Sequence, residues 1–249
     1  MNFLSLYKRR LLFFLKKKIN IDIDLKANEL SLNQLFIKYG SDKAVFLNKK
    51  NKYSGHGYTK YYLKNFKKLK NKKLKILEIG SYAGASAAAF TKYLPRAELF
   101  CLDINISNFK YSSKRINIFG LNANNEKDYR YFLKKLNISN KSKFFDVIID
   151  DGSHKLGDIS KSLKFYFKNL KSKGLYIIED FKLPNYIKHL DDPNEQKIDK
   201  MINFVKKKIF FKSKILNNKF QNSFFKEISS VKKYHGSGKF SDIVFFKKI

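Results

Sequence analysis

The feature that most constrains the fold is a short apolar strand that runs through a glycine turn into a helix. Residues 74–84 read LKILEIGSYAG, and small residues favour a helix over 85–94. Such a strand, turn and helix hold a nucleoside-like cofactor at the carboxyl end of the first strand of an open α/β sheet. A dinucleotide needs glycine where its pyrophosphate approaches the backbone, and this chain has Tyr82 there. The turn therefore disfavours a phosphate-bearing cofactor.

Acidic residues near this turn indicate which cofactor it holds. Glu78 places a negative charge directly before the turn, and this charge repels phosphate and suits a cation or hydroxyl groups. Asp103 follows Gly80 by 23 residues, near the spacing at which an acid after the second strand binds ribose hydroxyls; a helix cap is its alternative role. These features predict an S-adenosylmethionine site. Its predicted contacts are Glu78, Gly80, Ser81, Gly84, Asp103 and Asn122.

Apolar runs of strand length alternate with longer helical patterns, which predicts a doubly wound, mostly parallel α/β sheet. The predicted parallel strands cover 75–80, 98–104, 116–119, 145–150 and 175–179. Helices are predicted over 125–136, 159–170 and 195–209, with Gly174 as a helix stop before the fifth strand. The strand-like runs 228–234 and 240–246 flank HGSGK, a hairpin signal. We therefore predict seven strands, with an antiparallel hairpin at the C-terminal end.

The length of 249 residues is enough for one α/β domain with a buried core, and 43% of the residues are hydrophobic. We expect a basic helical arm over 1–40 and the domain over 41–249. Cys101 is the single cysteine, so no intrachain disulfide forms and a reducing cytoplasm is the expected compartment.

The formal net charge of +32 raises the question of a nucleic-acid or anionic-membrane partner. However, Lys and Arg are spread along the whole chain among Asn, Ile, Phe and Tyr, residues that share A/T-rich codons. A base bias of the genome explains most of this excess, and the sequence shows no recognisable RNA-binding module. A nucleic-acid partner is therefore the less favoured interpretation.

The N-terminal arm has the pattern of an amphipathic helix. Lys and Arg flank an apolar face made of Phe3, Leu4, Tyr7, Leu11, Phe14 and Leu15. The arm lacks the long apolar centre and the cleavage site of a signal peptide, and no stretch reaches the ~20 apolar residues of a membrane span. Packing against the domain or a second subunit is the favoured interpretation. Adhesion to the inner membrane surface is the alternative.

Carboxylates follow two strands of the predicted sheet at the edge where ligands bind. Asp151 follows the fourth strand, and Glu179 and Asp180 end the fifth. Such hard oxygen ligands suit Mg²⁺. His154 follows Asp151 by three residues, and an imidazole there can remove the proton of a hydroxyl that a metal has acidified. A cap, a strand-end hydrogen-bond cluster and a loop histidine are the alternative roles.

These motifs resemble the metal-dependent sugar O-methyltransferases of the macrocin and mycinamicin type, within the class I S-adenosylmethionine-dependent methyltransferase fold. The matching segments are YGSDK at 39–43, HGYTKYY at 56–62, LEIG at 77–80, DDGSH at 150–154 and IED at 178–180. The resemblance covers residues 36–249. It weakens after the third strand, where relatives often have GDQSD and this chain has GLNAN at 120–124.

The resemblance implies a role for each matching position. It implies that the metal ligands are Asp151, Glu179 and Asp180 and that the general base is His154. It also implies that the cofactor site is lined by Glu78, Gly80 and Asp103, and that a segment folding over the cofactor or substrate contains His56 and Tyr58.

The sequence therefore predicts a cytoplasmic methyltransferase that uses S-adenosylmethionine and a divalent metal such as Mg²⁺. Its predicted substrate is a small molecule or glycan, methylated at a hydroxyl of a sugar or glycosylated metabolite. The alkoxide left by proton removal would attack the sulfonium methyl in line. Two alternatives stay open: an RNA methyltransferase or nucleic-acid-binding protein that uses the basic surface, and a non-catalytic relative that binds the cofactor. A homo-oligomer is a further expectation.

Overall fold

A computed structural model describes residues 3–47 and 53–249, with side chains over 7–46 and 54–249. In chain order, its strands are β1 (Ile19–Asn20), β2 (Phe46–Leu47), β3 (Tyr53–Ser54), β4 (Leu74–Ile79), β5 (Ala97–Asp103), β6 (Tyr111–Ser112), β7 (Ile116–Gly120), β8 (Phe145–Asp150), β9 (Leu170–Glu179), β10 (Ile228–His235) and β11 (Asp242–Lys248). Its α-helices are α1 (Phe3–Leu15), α2 (Leu32–Tyr39), α3 (Thr59–Phe66), α4 (Ala85–Tyr93), α5 (Glu126–Lys135), α6 (Leu156–Tyr166), α7 (Leu183–Tyr186), α8 (Ile198–Lys207) and α9 (Asn218–Glu227).

Within the described part, seven strands form one mostly parallel sheet in the order β10-β11-β9-β8-β4-β5-β7. Strands β10 and β11 form an antiparallel hairpin, and β11 also pairs antiparallel with β9. Helices flank the sheet. The predicted doubly wound sheet and its C-terminal hairpin are therefore confirmed. The chain forms two compact units, Met1–Asn122 with Gly236–Lys239 and Ala123–His235 with Phe240–Ile249.

The first unit is built on the parallel strands β4, β5 and β7. Helices α2, α3 and α4 meet through aromatic side chains, because the ring of Phe90 lies 5.3 Å from that of Phe36 and 5.0 Å from that of Tyr62. All three rings are fully buried. Edge-on aromatic contacts of this kind add to the stabilisation that burial gives.

The N-terminal segment belongs to the first unit, where Ile21 is fully buried and several polar contacts are made. Arg10 Nη2 donates to the carbonyl oxygen of Gly120 at 2.8 Å, and β1 pairs in parallel with β6. Asp22 follows β1 and accepts hydrogen bonds from Ser113 Oγ at 2.6 Å and from the Lys114 N–H at 2.9 Å. The side chains of the predicted face residues Phe3 and Leu4 lie outside the described part.

The second unit contains β8, β9 and the hairpin, with α5, α6 and α9 packed through aromatic residues. The Tyr129 and Tyr166 rings lie 5.1 Å apart, and the Phe224 ring contacts Phe167 at 4.7 Å and Phe246 at 5.6 Å. Helix α9 was not predicted, because its sequence NKFQNSFFKE mixes bulky aromatic residues with Asn, which favours caps over helix interiors. The Asn217 side chain nevertheless caps it by accepting the Phe220 N–H at 3.0 Å.

Two predicted element ends are wrong for local reasons. Strand β9 begins at Leu170, so Gly174 lies inside the strand rather than after a helix. A Cβ at Gly174 would lie 2.8 Å from the Lys171 oxygen, at the point where the β8–β9 register shifts. The helix predicted from 195 begins at Ile198, because Glu195 pairs with Ser213 and accepts the Lys214 N–H at 2.9 Å.

Candidate functional site

Asp151, His154 and Asp180 form a compact group in the second unit, of side-chain types that can bind a metal ion. Each offers one ligand atom, and these atoms lie within 4.8 Å of one another. Strands β8 and β9 are parallel neighbours, so the residues that follow them share one edge of the sheet. His154 Nε2 lies 3.8 Å from Asp151 Oδ1. Two carboxylates and an imidazole at this separation can hold a divalent cation.

The backbone is left-handed at two members of this group. His154 has φ +55° and Asp180 has φ +49°. A residue with a Cβ pays roughly 1–2 kcal/mol for this conformation, and such positions concentrate at functional sites. Hydrogen bonds stabilise both loops. Ser153 Oγ donates to Asp158 Oδ2 at 2.7 Å, and the Leu183 N–H donates to the backbone carbonyl oxygen of Asp180 at 3.0 Å.

The adjacent acids Asp150 and Asp151 have different environments. Asp150 is buried and accepts a hydrogen bond from Ser162 Oγ at 2.5 Å, while the Tyr176 hydroxyl lies 2.7 Å from the same Ser162 oxygen. Burial raises the pKa of Asp150 to about 6, against the opposing effects of Ser162 and His154. Asp150 thus packs inside the unit, and Asp151 is the member of the pair that joins the metal-binding group.

Glu179, predicted as a third carboxylate ligand, lies outside that group. It ends β9, is 1% exposed and sits opposite Ile243 of β11. Among the described residues, the third ligand atom within 4.8 Å belongs to His154 instead. The role of Glu179 as a ligand stays a prediction.

Glu78 lies at the end of β4 in the first unit and is fully buried. Ser86 Oγ, in the first turn of α4, donates a very short hydrogen bond to Glu78 Oε1, and Ser81 Oγ donates to the Glu78 carbonyl oxygen at 3.2 Å. Cys101 is the cross-strand partner of Glu78, and burial raises its thiol pKa, with a further contribution from the Glu78 charge. Ser86 thus binds the predicted cofactor acid itself, and Ser81 binds its backbone.

Asp103 organises the two loops around the glycine turn. Its Oδ2 accepts the Tyr82 N–H at 2.8 Å and its Oδ1 accepts the Asn105 N–H at 2.6 Å. The Asp103 carbonyl accepts the Leu121 N–H at 3.1 Å, which brings in the loop that carries Asn122. A carboxylate has about four acceptor positions, so these bonds leave capacity for ligand hydroxyls.

The turn itself uses left-handed backbone, with φ +83° at Gly80, +42° at Tyr82 and +74° at Gly84. Gly84 is the N-cap of α4, and a Cβ there would lie 2.4 Å from the buried Phe109 ring. The predicted glycine at the start of the helix is therefore required by packing as well as by conformation. Tyr82, in contrast, is 66% exposed.

His56 and Tyr58 lie together in the first unit. Their rings stack at 5.2 Å and 19°, and Tyr58 is fully buried. His56 Nε2 lies 3.3 Å from Asp42 Oδ2, and this hydrogen bond lowers the pKa of Asp42 to about 2. The His56 carbonyl accepts the Ser237 N–H at 2.8 Å, so the loop between β10 and β11 contacts the same segment.

Several residues that lie in the loops around the predicted site residues, or form hydrogen bonds with those residues, loops or strand ends, were not predicted as site residues. They are Asp42, Ser86, Ser162, Lys182 and Asp242. A local signal exists for Ser86, a small polar residue in the first turn after the glycine turn, and for Asp42, which lies within the YGSDK motif. The other three pair with residues 12 to 60 positions away, and no local spacing marks such partners.

The chain is similar in sequence to sugar O-methyltransferases of macrolide pathways, while no family model matches it. It is 28% identical to mycinamicin VI 2''-O-methyltransferase of Micromonospora griseorubida over 60% of this chain and 35% of that protein. It is 29% identical to L-olivosyl-oleandolide 3-O-methyltransferase of Streptomyces antibioticus, over 65% of this chain and 40% of that protein. The chain thus spans less than half the length of these curated relatives.

A solved structure shares the fold. The MycE methyltransferase of the mycinamycin pathway, described in complex with Mg, SAH and mycinamycin VI, superimposes with a TM-score of 0.65 at 21% identity. The match covers 88% of this chain and 54% of that one. The chain is therefore similar in sequence to the mycinamicin-type sugar O-methyltransferases and has the class I methyltransferase fold.

Proposed function

We propose that this chain is an S-adenosylmethionine-dependent O-methyltransferase that uses a divalent metal to methylate a hydroxyl of a sugar or glycosylated metabolite. The observation that carries the proposal is the group Asp151, His154 and Asp180 at the ends of β8 and β9. The chain that contains it is related to sugar O-methyltransferases. MycE, which shares the fold, is described with Mg and SAH.

The residues present fit both groups. Asp151 and Asp180 offer hard oxygen donors, which Mg²⁺ prefers, and their ligand atoms lie within one coordination sphere of each other. Glu78 offers a buried carboxylate next to left-handed Gly80, which suits the hydroxyl groups or the positive charge of S-adenosylmethionine and disfavours phosphate.

The chain's own residues would divide the chemistry between them. Asp151 and Asp180 would hold the metal, which when bound would make an acceptor hydroxyl more acidic. His154 Nε2 would act as the general base that removes the proton of the acceptor hydroxyl, because the oxygen ligands that Mg²⁺ prefers come from Asp151 and Asp180. Asp151 Oδ1, 3.8 Å away, stabilises the imidazolium that forms. Glu78, Gly80 and Asp103 position the cofactor.

Calorimetry with MgCl₂ and with S-adenosylhomocysteine tests the two sites separately. Wild-type protein should bind both, and Asp180→Asn should weaken Mg²⁺ binding by at least about tenfold, an effect of the size seen when a metal site loses a supporting carboxylate. Asp191→Asn is the matched control, because Asp191 is paired with Lys197 at 2.6 Å outside the metal-binding group.

Three outcomes would contradict the proposal. Binding of S-adenosylhomocysteine without Mg²⁺ binding would indicate a non-catalytic relative. Salt-sensitive binding of unrelated oligonucleotides without cofactor binding would indicate a nucleic-acid-binding protein. Equal Mg²⁺ affinity in Asp180→Asn and Asp191→Asn would place the metal elsewhere. Methyl transfer from S-adenosylmethionine to mycinamicin VI, the probe suggested by MycE, then tests the acceptor class.

A further inference from the structure

Helix α1 leaves most of its apolar side chains uncovered. Tyr7, Leu11, Phe14 and Leu15 are 66, 49, 76 and 75% exposed. At 3.6 residues per turn these four positions fall on one face of the helix. Exposed large apolar residues are ordinary when scattered, but a contiguous set marks an interaction surface.

The helix contacts the rest of the first unit through side chains outside this apolar face. Arg9 and Phe13, on the opposite face, are only partly exposed. Arg10 Nη2 donates to the Gly120 oxygen at 2.8 Å, and Lys16 Nζ donates to the Ser107 oxygen at 3.2 Å. The side of α1 that faces its own unit is therefore already occupied, and the apolar face points away from it.

Positive charge surrounds this apolar face. Residues 1–21 contain six Lys and Arg and no Asp or Glu. Lys8 and Lys17 are exposed, and at helical spacing they lie on the two sides of the face. An apolar stripe bordered by cations is the pattern of a helix that lies in the headgroup region of an anionic bilayer.

We propose that α1 is a membrane-surface anchor, with Tyr7, Leu11, Phe14 and Leu15 inserted among the lipids of an anionic bilayer. The positive charge of this segment favours an anionic bilayer over a second copy of the chain as its partner. Two copies would bring together two cationic segments that lack acidic residues, in a protein of formal net charge +32. The exposed aromatic and aliphatic side chains favour a lipid surface over nucleic acid, because the outer surface of nucleic acid is polyanionic and polar.

The anchor lies on the surface of a bilayer and does not cross it. Among the residues that the structure describes, no helix combines the length and the apolar character that a membrane span requires. Ile23 and Leu25, 77 and 71% exposed, are further exposed apolar side chains of the N-terminal segment.

Cosedimentation of the full chain with lipid vesicles tests the anchor. The probes are vesicles of phosphatidylcholine alone and vesicles that contain equal amounts of phosphatidylglycerol and phosphatidylcholine. Wild-type protein should bind the anionic vesicles and not the neutral ones. The double variant Phe14→Ser/Leu15→Ser should bind the anionic vesicles at least about tenfold more weakly, because it removes two inserted side chains.

Two matched double variants separate insertion from general charge. Ile209→Ser/Ile249→Ser removes two exposed apolar side chains elsewhere, which are 50 and 60% exposed, and should bind within about twofold of wild type. Lys8→Gln/Lys17→Gln should weaken binding more than Lys232→Gln/Lys233→Gln, which removes two exposed lysines of β10. All substituted side chains are solvent-exposed, and circular dichroism checks that each variant is folded.

Four results would overturn the anchor. They are failure of wild-type protein to bind anionic vesicles, equal binding to neutral vesicles, equal losses in the Phe14/Leu15 and Ile209/Ile249 variants, and equal losses in the two lysine variants. Sedimentation velocity supplies a fifth: self-association of wild-type protein that Phe14→Ser/Leu15→Ser abolishes would assign the apolar face to a second copy of the chain.

Discussion

Lys182 Nζ donates to Asp242 Oδ1 at 2.8 Å, and this ion pair ties the loop after Asp180 to the first residue of β11. The side chain of Asp242 is 2% exposed and that of Lys182 is 25% exposed. His235 Nδ1 lies 3.2 Å from the same carboxylate oxygen. Because Lys182 is two residues beyond Asp180, the pair supports the strained backbone that presents a proposed metal ligand.

Asp242→Asn should lower the free energy of unfolding by about 2 kcal/mol, because it leaves a half-buried Lys182 without its anionic partner. It should also weaken Mg²⁺ binding. Urea unfolding and calorimetry measure the two effects. Asp146→Asn, which breaks the more exposed 2.9 Å pair with Lys171, is the control and should cost less than about 1 kcal/mol. Equal losses in both variants would show that the Asp242 pair has no special role.

His154→Ala should lower kcat by about 10²- to 10⁴-fold, because a positioned general base contributes that much to proton transfer. Affinity for S-adenosylhomocysteine should stay within about twofold of wild type, since the proposed cofactor contacts lie on other residues. Steady-state kinetics and calorimetry measure the two quantities. Equal loss of turnover and cofactor affinity would contradict the role as base, and loss of Mg²⁺ affinity would make His154 a metal ligand.

Glu78→Gln should weaken binding of S-adenosylhomocysteine by about tenfold or more, because a hydrogen bond to a charged group contributes roughly 1.5–3 kcal/mol. Glu98→Gln on the neighbouring strand is the control: Glu98 accepts from Asn117 Nδ2 at 2.9 Å, outside the glycine turn. Calorimetric affinities of the two variants decide the prediction. Similar affinities in both would place the cofactor away from Glu78.

Gly84→Ala should destabilise the protein by about 3 kcal/mol, because its Cβ must adopt left-handed backbone and displace the buried Phe109 ring. Gly40 has a similar φ of +80°, but a Cβ there meets no atom within 4 Å. Gly40→Ala should therefore cost only the conformational part, roughly 1 kcal/mol. Thermal unfolding compares the two, and equal shifts in Tm would rule out the steric explanation.

Asp42 should contribute to stability above about pH 4 and lose this contribution as the pH falls toward 2, because its pKa is lower in the folded protein than in the unfolded chain. The carboxylate is largely exposed, so the contribution should be limited to about 1 kcal/mol. Urea unfolding across this pH range should show a shallower decline for Asp42→Asn than for wild type. His56→Gln should flatten the decline as well, and parallel profiles would disprove the linkage.

The sequence predicts the type of sheet because its signals are local. The alternation of strand and helix patterns, the glycine turn after Glu78 and the hairpin signal at residues 235–239 each lie within a short stretch, where spacing and backbone preferences are set by neighbouring residues. Helix α9 is not predicted from such local signals, because burial of Phe224 and Phe225, rather than helix propensity, stabilises it.

The placement of acids at the edge where ligands bind can be read from the residues alone, because the carboxyl ends of parallel strands lie at the same edge of a sheet. The choice among these acids is made by the folded chain. It turned Asp150 toward Ser162, left Glu179 outside and brought His154 beside Asp151 and Asp180. It also paired Lys182 with Asp242, 60 residues away. Such choices depend on side-chain direction and on contacts between distant segments, and neither is encoded in the spacing of residues along a chain.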